Sequence, residues 1–302
     1  MTAIRVQAAL GTRLRLSLPR LGDYLELTKP RITALVLVTA AAGFYLGSLG
    51  AVEWGLLLHT LLGTALVAAG TSAMNQVLER EVDGRMARTR GRPLPAGRLA
   101  PRSAGVFAGA LAAAGVLYLF LAVNLPTALL AAAAFLVYDL AYTPLKRIHS
   151  LATLVGAIPG ALPIAGGWVA ARGELGGEAW ALFGILFFWQ LPHFLALAWL
   201  LREDYRRAGL PMLSVGDPEG LSTRHQTLVY ALTLLPVSLL PAAIGMAGAA
   251  YFWAALGLGI LFLARAAVFS RRPAAASARR LFHASILYLP LLLLLLTLDK
   301  LP

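Results

Sequence analysis

The sequence predicts an all-α, polytopic membrane protein, and three observations carry that expectation. Of 302 residues, 59% are hydrophobic and only 13% charged, whereas about a quarter of a soluble domain is charged. A bilayer core takes about 20 consecutive apolar residues per helix. Nine such runs are readable, at 32–49, 54–76, 103–123, 125–143, 150–171, 178–201, 225–246, 250–269 and 281–298. If the runs cross in alternation from a cytoplasmic N-terminus, every Lys and Arg except Arg172 and Lys300 falls on the cytoplasmic side. That is the positive-inside pattern. It predicts the N-terminus inside and the C-terminus outside, and one span too many or too few would scramble it.

The runs leave no room for a sizeable soluble domain, so the expected organisation is a basic arm over 1–31 and one nine-helix membrane domain over 32–302. The first 22 residues hold four arginines and no acid. A cytoplasmic arm is the expected reading, with a mitochondrial leader as the alternative, since such leaders are Arg-rich and acid-poor. The outward connections are short. The inward ones, 77–102, 144–149, 202–224 and 270–280, are longer, and the first three concentrate polar and charged side chains. Gly156, Gly160, Gly166 and Gly167 fall within the fifth run and read as close helix packing. The net charge of +12 tracks the membrane rather than any nucleic-acid motif, which excludes nucleic-acid binding. The absence of cysteine excludes disulfides, thiolate metal sites and a Cys nucleophile.

The most informative stretch is 75–94. Asn75, Glu79 and Asp83 are spaced i, i+4, i+8 and share one helix face, and Arg85, Arg88, Arg90 and Arg92 follow at once. Mg²⁺ takes oxygen ligands and is often held by one or two carboxylates plus substrate phosphates, while guanidinium groups suit phosphate. A metal-bound phosphate at a membrane surface is the expected ligand. The alternative is a solvated, salt-bridged loop in which, for example, Glu81 pairs with Arg85. Polar groups at the end of a spanning helix are expensive and usually functional, which favours the site. If the helix continues past Arg85, Arg88 and Arg92 lie one turn apart, and Pro93 ends it.

Two further stretches carry polar groups. In 138–149, Tyr138 and Tyr142 lie i, i+4 near the end of the fourth run, with Lys146 and Arg147 after them. An interfacial aromatic belt explains them equally well. Asp139 inside the run is less easily dismissed, although snorkelling or an arginine partner would account for it. In 189–213, His193 lies within the sixth run beside Gln190 and Pro192. It is a candidate metal ligand, proton relay or partner of a carbonyl freed by the proline. Glu203 and Asp204 are candidates for a second cation, or simply partners of Arg206 and Arg207.

On these residues the chain resembles the heme O synthases (protoheme IX farnesyltransferases), a branch of the intramembrane UbiA-type prenyltransferases. The resemblance rests on Leu27-Thr28-Lys29-Pro30-Arg31; on Asn75-x3-Glu79-x3-Asp83 with Met86, Arg88-Thr89 and Arg92-Pro93-Leu94; and on Tyr142-Thr143 with Leu145-Lys146-Arg147. It continues through Gly156 and Gly160 to Pro163, then Trp189-Gln-x-Pro192-His193-Phe194, and Asp204-Tyr205-x3-Gly209-x-Pro211-Met212-Leu213. Two departures from the wider superfamily stand out. Glu79 replaces the usual Asp of the first motif, and Leu201 stands where the second motif usually has another Asp.

The resemblance implies transfer of the farnesyl group of farnesyl diphosphate to a vinyl group of heme B, with addition of water, giving heme O and diphosphate. It implies Mg²⁺ held by Asn75, Glu79 and Asp83, with Glu203 and Asp204 as further ligands. Arg88, Arg92, Lys146 and Arg147 would clamp the diphosphate. Tyr138, Tyr142, Trp189 and His193 would contact the prenyl group or the heme. The catalytic set is thus Asn75, Glu79, Asp83, Lys146 and Asp204. The lipid bilayer is the expected surrounding: the cytoplasmic (inner) membrane of a bacterium, or the mitochondrial inner membrane in a eukaryote. A heme A synthase or an oxidase assembly factor is the expected protein partner. The alternatives are a related prenyltransferase acting on a quinone precursor or chlorophyll-like ring, and, in another class, a secondary transporter.

Overall fold

A computed structural model describes residues 21–301; Arg5, Arg13, Arg15 and Arg20 of the expected basic arm lie outside them. A short helix α1 (Leu21–Leu27) precedes α2 (Pro30–Gly47), α3 (Trp54–Arg85), α4 (Pro101–Ala122) and α5 (Leu125–Leu136). The chain continues through a π-helical turn (Val137–Tyr142) into the single turn α6 (Thr143–Leu145). Then come α7 (Ala152–Arg172), α8 (Gly177–Leu200), the short α9 (Arg202–Ala208) and α10 (Leu213–Gly216), and finally α11 (Leu221–Ala243), α12 (Ala249–Arg271) and α13 (Ala275–Leu298). Among the described residues, nine helices are long and apolar enough to cross a membrane, α5 with its π turn and α6 counting as one. They match the nine expected runs in order.

The bundle is apolar outside as well as inside. Leu35, Val38, Trp54, Leu117, Leu121, Leu140, Trp253, Leu261 and Leu287 face outward and exposed, as expected where lipid is the solvent and every backbone polar group is satisfied within a helix. The most enclosed helices are α7 and α8. Helix α7 packs on α2, α5 and α8, and α8 in turn packs on α11 and α13.

Small residues set the closest crossing. A Cβ on Gly167 of α7 would strike the Ala40 carbonyl of α2, and one on Gly43 of α2 would strike the Ile164 carbonyl of α7. The two backbones are in reciprocal contact, the small-residue packing expected of membrane helices. Proline does not interrupt the enclosed helices: α7 carries Pro159 and Pro163, and α8 carries Pro192, with helix on both sides.

Three expectations about loops are corrected. Helix α3 runs to Arg85, so the first nine residues of the expected loop 77–102 are helical. It then stops: Met86 is extended, and the Thr89 hydroxyl donates to the Asp83 carbonyl. Arg88 and Arg92 therefore do not share a helix. The stretch 270–280 is mostly helix as well, with only 272–274 between α12 and α13. Within 202–224, the short helices α9 and α10 fold back, so that Tyr205, Ala208, Leu210 and Met212 bury against Val82 and Met86 at the end of α3.

Candidate active site

Helix α3 delivers Asn75, Glu79 and Asp83 to one end of the bundle, on one face, all buried; Glu79 is 4% exposed and Asp83 1%. A buried carboxylate charge is costly unless paired, and Glu79 and Asp83 each have a cationic partner from a different part of the chain. Lys146, following α6, donates to Glu79 Oε1 at 2.9 Å. Arg92, from the turns after α3, donates to Asp83 Oδ2 at 2.7 Å. Lys29, just before α2, donates to Asn75 Oδ1 at 3.2 Å. The Asn75 amide donates to Thr143 Oγ1 at 3.2 Å, and that hydroxyl donates to the Tyr138 carbonyl at 2.9 Å. Three oxygen-bearing side chains on one helix thus alternate with three cations reaching in from the flanks.

Local structure explains each reach. Lys29 has φ of 46°, the only positive φ outside glycine among the described residues. Such a conformation costs about 1–3 kcal/mol and tends to mark functional sites; here it turns the chain immediately before Pro30, the first residue of α2. Arg92 is returned to Asp83 by consecutive turns from Met86 to Arg98. Those turns are anchored to α1, where Arg98 pairs with Asp23 at 3.1 Å and Glu26 at 2.7 Å. Gln76, the neighbour of Asn75, donates to the Leu27 carbonyl at 2.8 Å and fixes α1 against α3.

The two lysines are driven apart electrostatically. Burial pulls Lys29 down to about 8, and Arg92 adds to that against the opposing pull of Glu79 and Asp83. Burial would also lower Lys146, but Tyr142 and Glu79 outweigh it and hold its ammonium above the ordinary lysine range.

The expected residues divide into groups. Asn75, Glu79, Asp83, Arg92 and Lys146 come together as one cluster. Tyr138 and Tyr142 lie on the π turn, their rings 5.0 Å apart. Tyr142 packs on Gly156 of α7, where an added Cβ would come within 2.7 Å of the ring. Arg88 and Arg147 stand at the exposed edge. Arg88 lies over the Tyr205 ring at 5.8 Å, and Arg147 donates to the Leu78 carbonyl.

Glu203 is exposed on α9 and pairs with Arg206 at 2.8 Å and Arg207 at 3.2 Å, the partners of its other expected reading. The alternative pair of Glu81 with Arg85 does not form; Glu81 lies 3.4 Å from Arg80. Asp204 is half-buried beside it, on the helix that Tyr205 seats against α3. Asp139 neither snorkels nor pairs with arginine: it is 1% exposed, and neither oxygen accepts a hydrogen bond.

His193 also departs from the expected bonding. The Ser285 hydroxyl donates to the Phe282 carbonyl, so His193 Nδ1, 2.7 Å from Ser285 Oγ, is the donor of that pair. The ring is sandwiched between Trp189 and Phe282, at centroid distances of 5.3 and 4.7 Å. No freed carbonyl is involved. This tautomer leaves Nε2 with its lone pair, the form that ligates metals. Trp189 and His193 sit with α13, not with the Glu79–Asp83 cluster.

The donor set can be tested for a cation. Glu79 and Asp83 each commit one oxygen to a cationic side chain, and among the described residues Glu79 Oε2 and Asp83 Oδ1 take no partner. Hard, buried carboxylate oxygens on one face fit Mg²⁺, which keeps waters and substrate phosphates as its other ligands. No three His, Asp or Glu side chains converge among the described residues.

The model of the UbiA prenyltransferase family matches residues 36–289. The chain belongs to that family. Its relatives include the protoheme IX farnesyltransferases of Solibacter usitatus, 47% identical over 92% of this chain and 98% of the relative, and of Koribacter versatilis, 46% identical over 94% and 97%. That of Salinibacter ruber is 47% identical over 92% and 99%. Among solved structures, a digeranylgeranylglyceryl phosphate synthase superposes with a TM-score of 0.80 at 18% identity, over 92% of this chain and 98% of that one. A UbiA homolog from Archaeoglobus fulgidus bound to GPP and Mg²⁺ superposes with a TM-score of 0.64 at 17% identity, over 91% and 99%. At such identities the structures show a shared fold. This member of the family is therefore a multi-pass, all-α membrane protein.

Proposed function

We propose that this chain transfers the farnesyl group of farnesyl diphosphate to a vinyl group of heme B, with addition of water, giving heme O and diphosphate. The observation that carries the choice of acceptor is the near full-length likeness to protoheme IX farnesyltransferases. The chemistry of the donor half follows from the cluster on α3.

The diphosphate binds at the cluster end of the bundle. Arg92 and Lys146, already placed by Asp83 and Glu79, offer N–H donors to its non-bridging oxygens, with Arg88, Arg147 and Lys29 around them. Asn75, Glu79 and Asp83 would hold Mg²⁺, with Asp204, on the short helix that packs against the end of α3, as a further ligand. That ion supplies Lewis-acid stabilisation of the charge that grows on the leaving diphosphate. Preorganised cations aimed at developing charge are usually the largest contribution to such a reaction. The farnesyl tail runs between apolar helices, where water is excluded until the vinyl group attacks. The Tyr138 and Tyr142 rings offer π faces to the allylic cation. His193, its Nδ1 held by Ser285, would ligate the heme iron through Nε2. The cluster end faces the cytoplasm, in the inner membrane of a bacterium or of a mitochondrion. A heme A synthase or an oxidase assembly factor is the partner for the product.

The transporter alternative expects helices broken near mid-membrane around the charged groups; α3 is continuous through Asn75, Glu79 and Asp83. The test is a choice of acceptors. Purified protein given farnesyl diphosphate and Mg²⁺ should prenylate heme B and leave a quinone precursor untouched, and EDTA should stop turnover until Mg²⁺ is restored. Preference for the quinone precursor would overturn the reading, and undiminished turnover in EDTA would remove the ion.

A further inference from the structure

Asp139 is the feature the function has not absorbed. It lies in a membrane-spanning element, 1% exposed, and both carboxylate oxygens lack a hydrogen-bond partner. A buried carboxylate without a partner is costly, more so in a membrane. It also sits in the π-helical turn 137–142, a distortion that frequently marks functional sites. The turn carries one more residue than an α turn, closing with the Thr143 N–H on the Tyr138 carbonyl.

Depth in the bundle locates it. Helix α3 and the α5–α6 segment run in the same direction and are in register. Lys146 meets Glu79, and one turn deeper Thr143 meets Asn75. Asp139 lies a further turn deeper, between Tyr138 and Tyr142 of the π turn. If the diphosphate occupies the Glu79–Asp83 level, the first prenyl carbon lies just beneath it, at the level of Thr143 and Asp139. The heme carbon that takes up water is two bonds from that prenyl carbon once the new bond has formed.

We infer that Asp139 is the proton acceptor for the water that adds to the prenylated heme. This rests on the farnesyl-transfer reading. The allylic C–O bond breaks with its electron pair leaving on diphosphate, and the vinyl terminus bonds to the prenyl carbon. The positive charge passes to the vinyl carbon next to the porphyrin. Water bonds to that carbon through oxygen, and its proton goes to the Asp139 carboxylate, leaving a neutral alcohol. The proton then leaves to solvent with the products.

Asp139→Asn keeps the shape and removes the acceptor. It also replaces a buried carboxyl group whose oxygens have no hydrogen-bond partner, so the variant should melt no lower than the parent. The expected result, read by mass spectrometry of hemes after incubation with farnesyl diphosphate, Mg²⁺ and heme B, is a fall of about 100-fold in hydroxylated product. A farnesylated heme lighter by one water should take its place, the cation losing a neighbouring proton instead. Asp139→Glu, which keeps a carboxylate, should restore hydroxylation. Hydroxylated product at the parent rate and proportion in Asp139→Asn would overturn the inference. So would loss of both products together, because that would place Asp139 in ionisation. Failure of the parent protein to farnesylate heme at all would instead defeat the functional reading beneath it.

Discussion

Asp83→Asn is expected to lower farnesyl transfer by about 100- to 1,000-fold, the usual cost of removing one preorganised group that stabilises charge in the transition state. Asp83 has two tasks that a neutral amide performs poorly. It offers a hard oxygen to the cation, and it holds Arg92 at 2.7 Å, where that guanidinium can meet the diphosphate. The loss should fall on kcat as well as on affinity, because charge on the diphosphate grows toward the transition state. Folding should survive, since Asn preserves the side-chain shape and Arg92 is partly exposed and can turn to solvent. Single-turnover rates with saturating farnesyl diphosphate and heme B, beside a detergent melting curve, check both statements. A variant that folds and turns over at the parent rate would remove Asp83 from the reaction.

The second large effect concerns folding. Gly167→Val should destabilise the bundle by about 3 kcal/mol or more, because the new side chain meets the backbone carbonyl of Ala40 rather than a movable side chain. For a chain of this length that corresponds to a fall on the order of 10 °C in Tm. The neighbouring Gly166 supplies the control: a Cβ there meets nothing within 4 Å, so Gly166→Ala should leave the melting temperature unchanged. Equal melting of the two variants would contradict the reciprocal crossing of α2 and α7.

The same contrast shows what is legible in a sequence of this kind. The nine spans follow from apolar run length, and the shared face of Asn75, Glu79 and Asp83 follows from helical spacing; both are local. The flanking partners are not. Lys29 lies 46 residues from Asn75, and Lys146 lies 67 from Glu79; no spacing rule joins them, although Lys29-Pro30 at the head of α2 is a visible turn signal. Arg92 reaches Asp83 only because a Thr89 hydroxyl closes α3, where continued helix would have carried both arginines away. Glu203 reads from the sequence either as a ligand or as an arginine partner, because acids near arginines look alike whether they hold a cation or each other. Asp139 could be seen as an acid in an apolar run, but only the packing of the π turn shows that it is enclosed and unpaired.

The most direct measurement is the mass of the heme recovered after purified protein in lipid nanodiscs is incubated with farnesyl diphosphate, Mg²⁺ and heme B. The account predicts a heme heavier by one farnesyl group and one hydroxyl group, formed in step with released diphosphate and lowered by about 100-fold or more with Asp83→Asn. Heme recovered at its starting mass, or diphosphate released without any change in the heme, would contradict it.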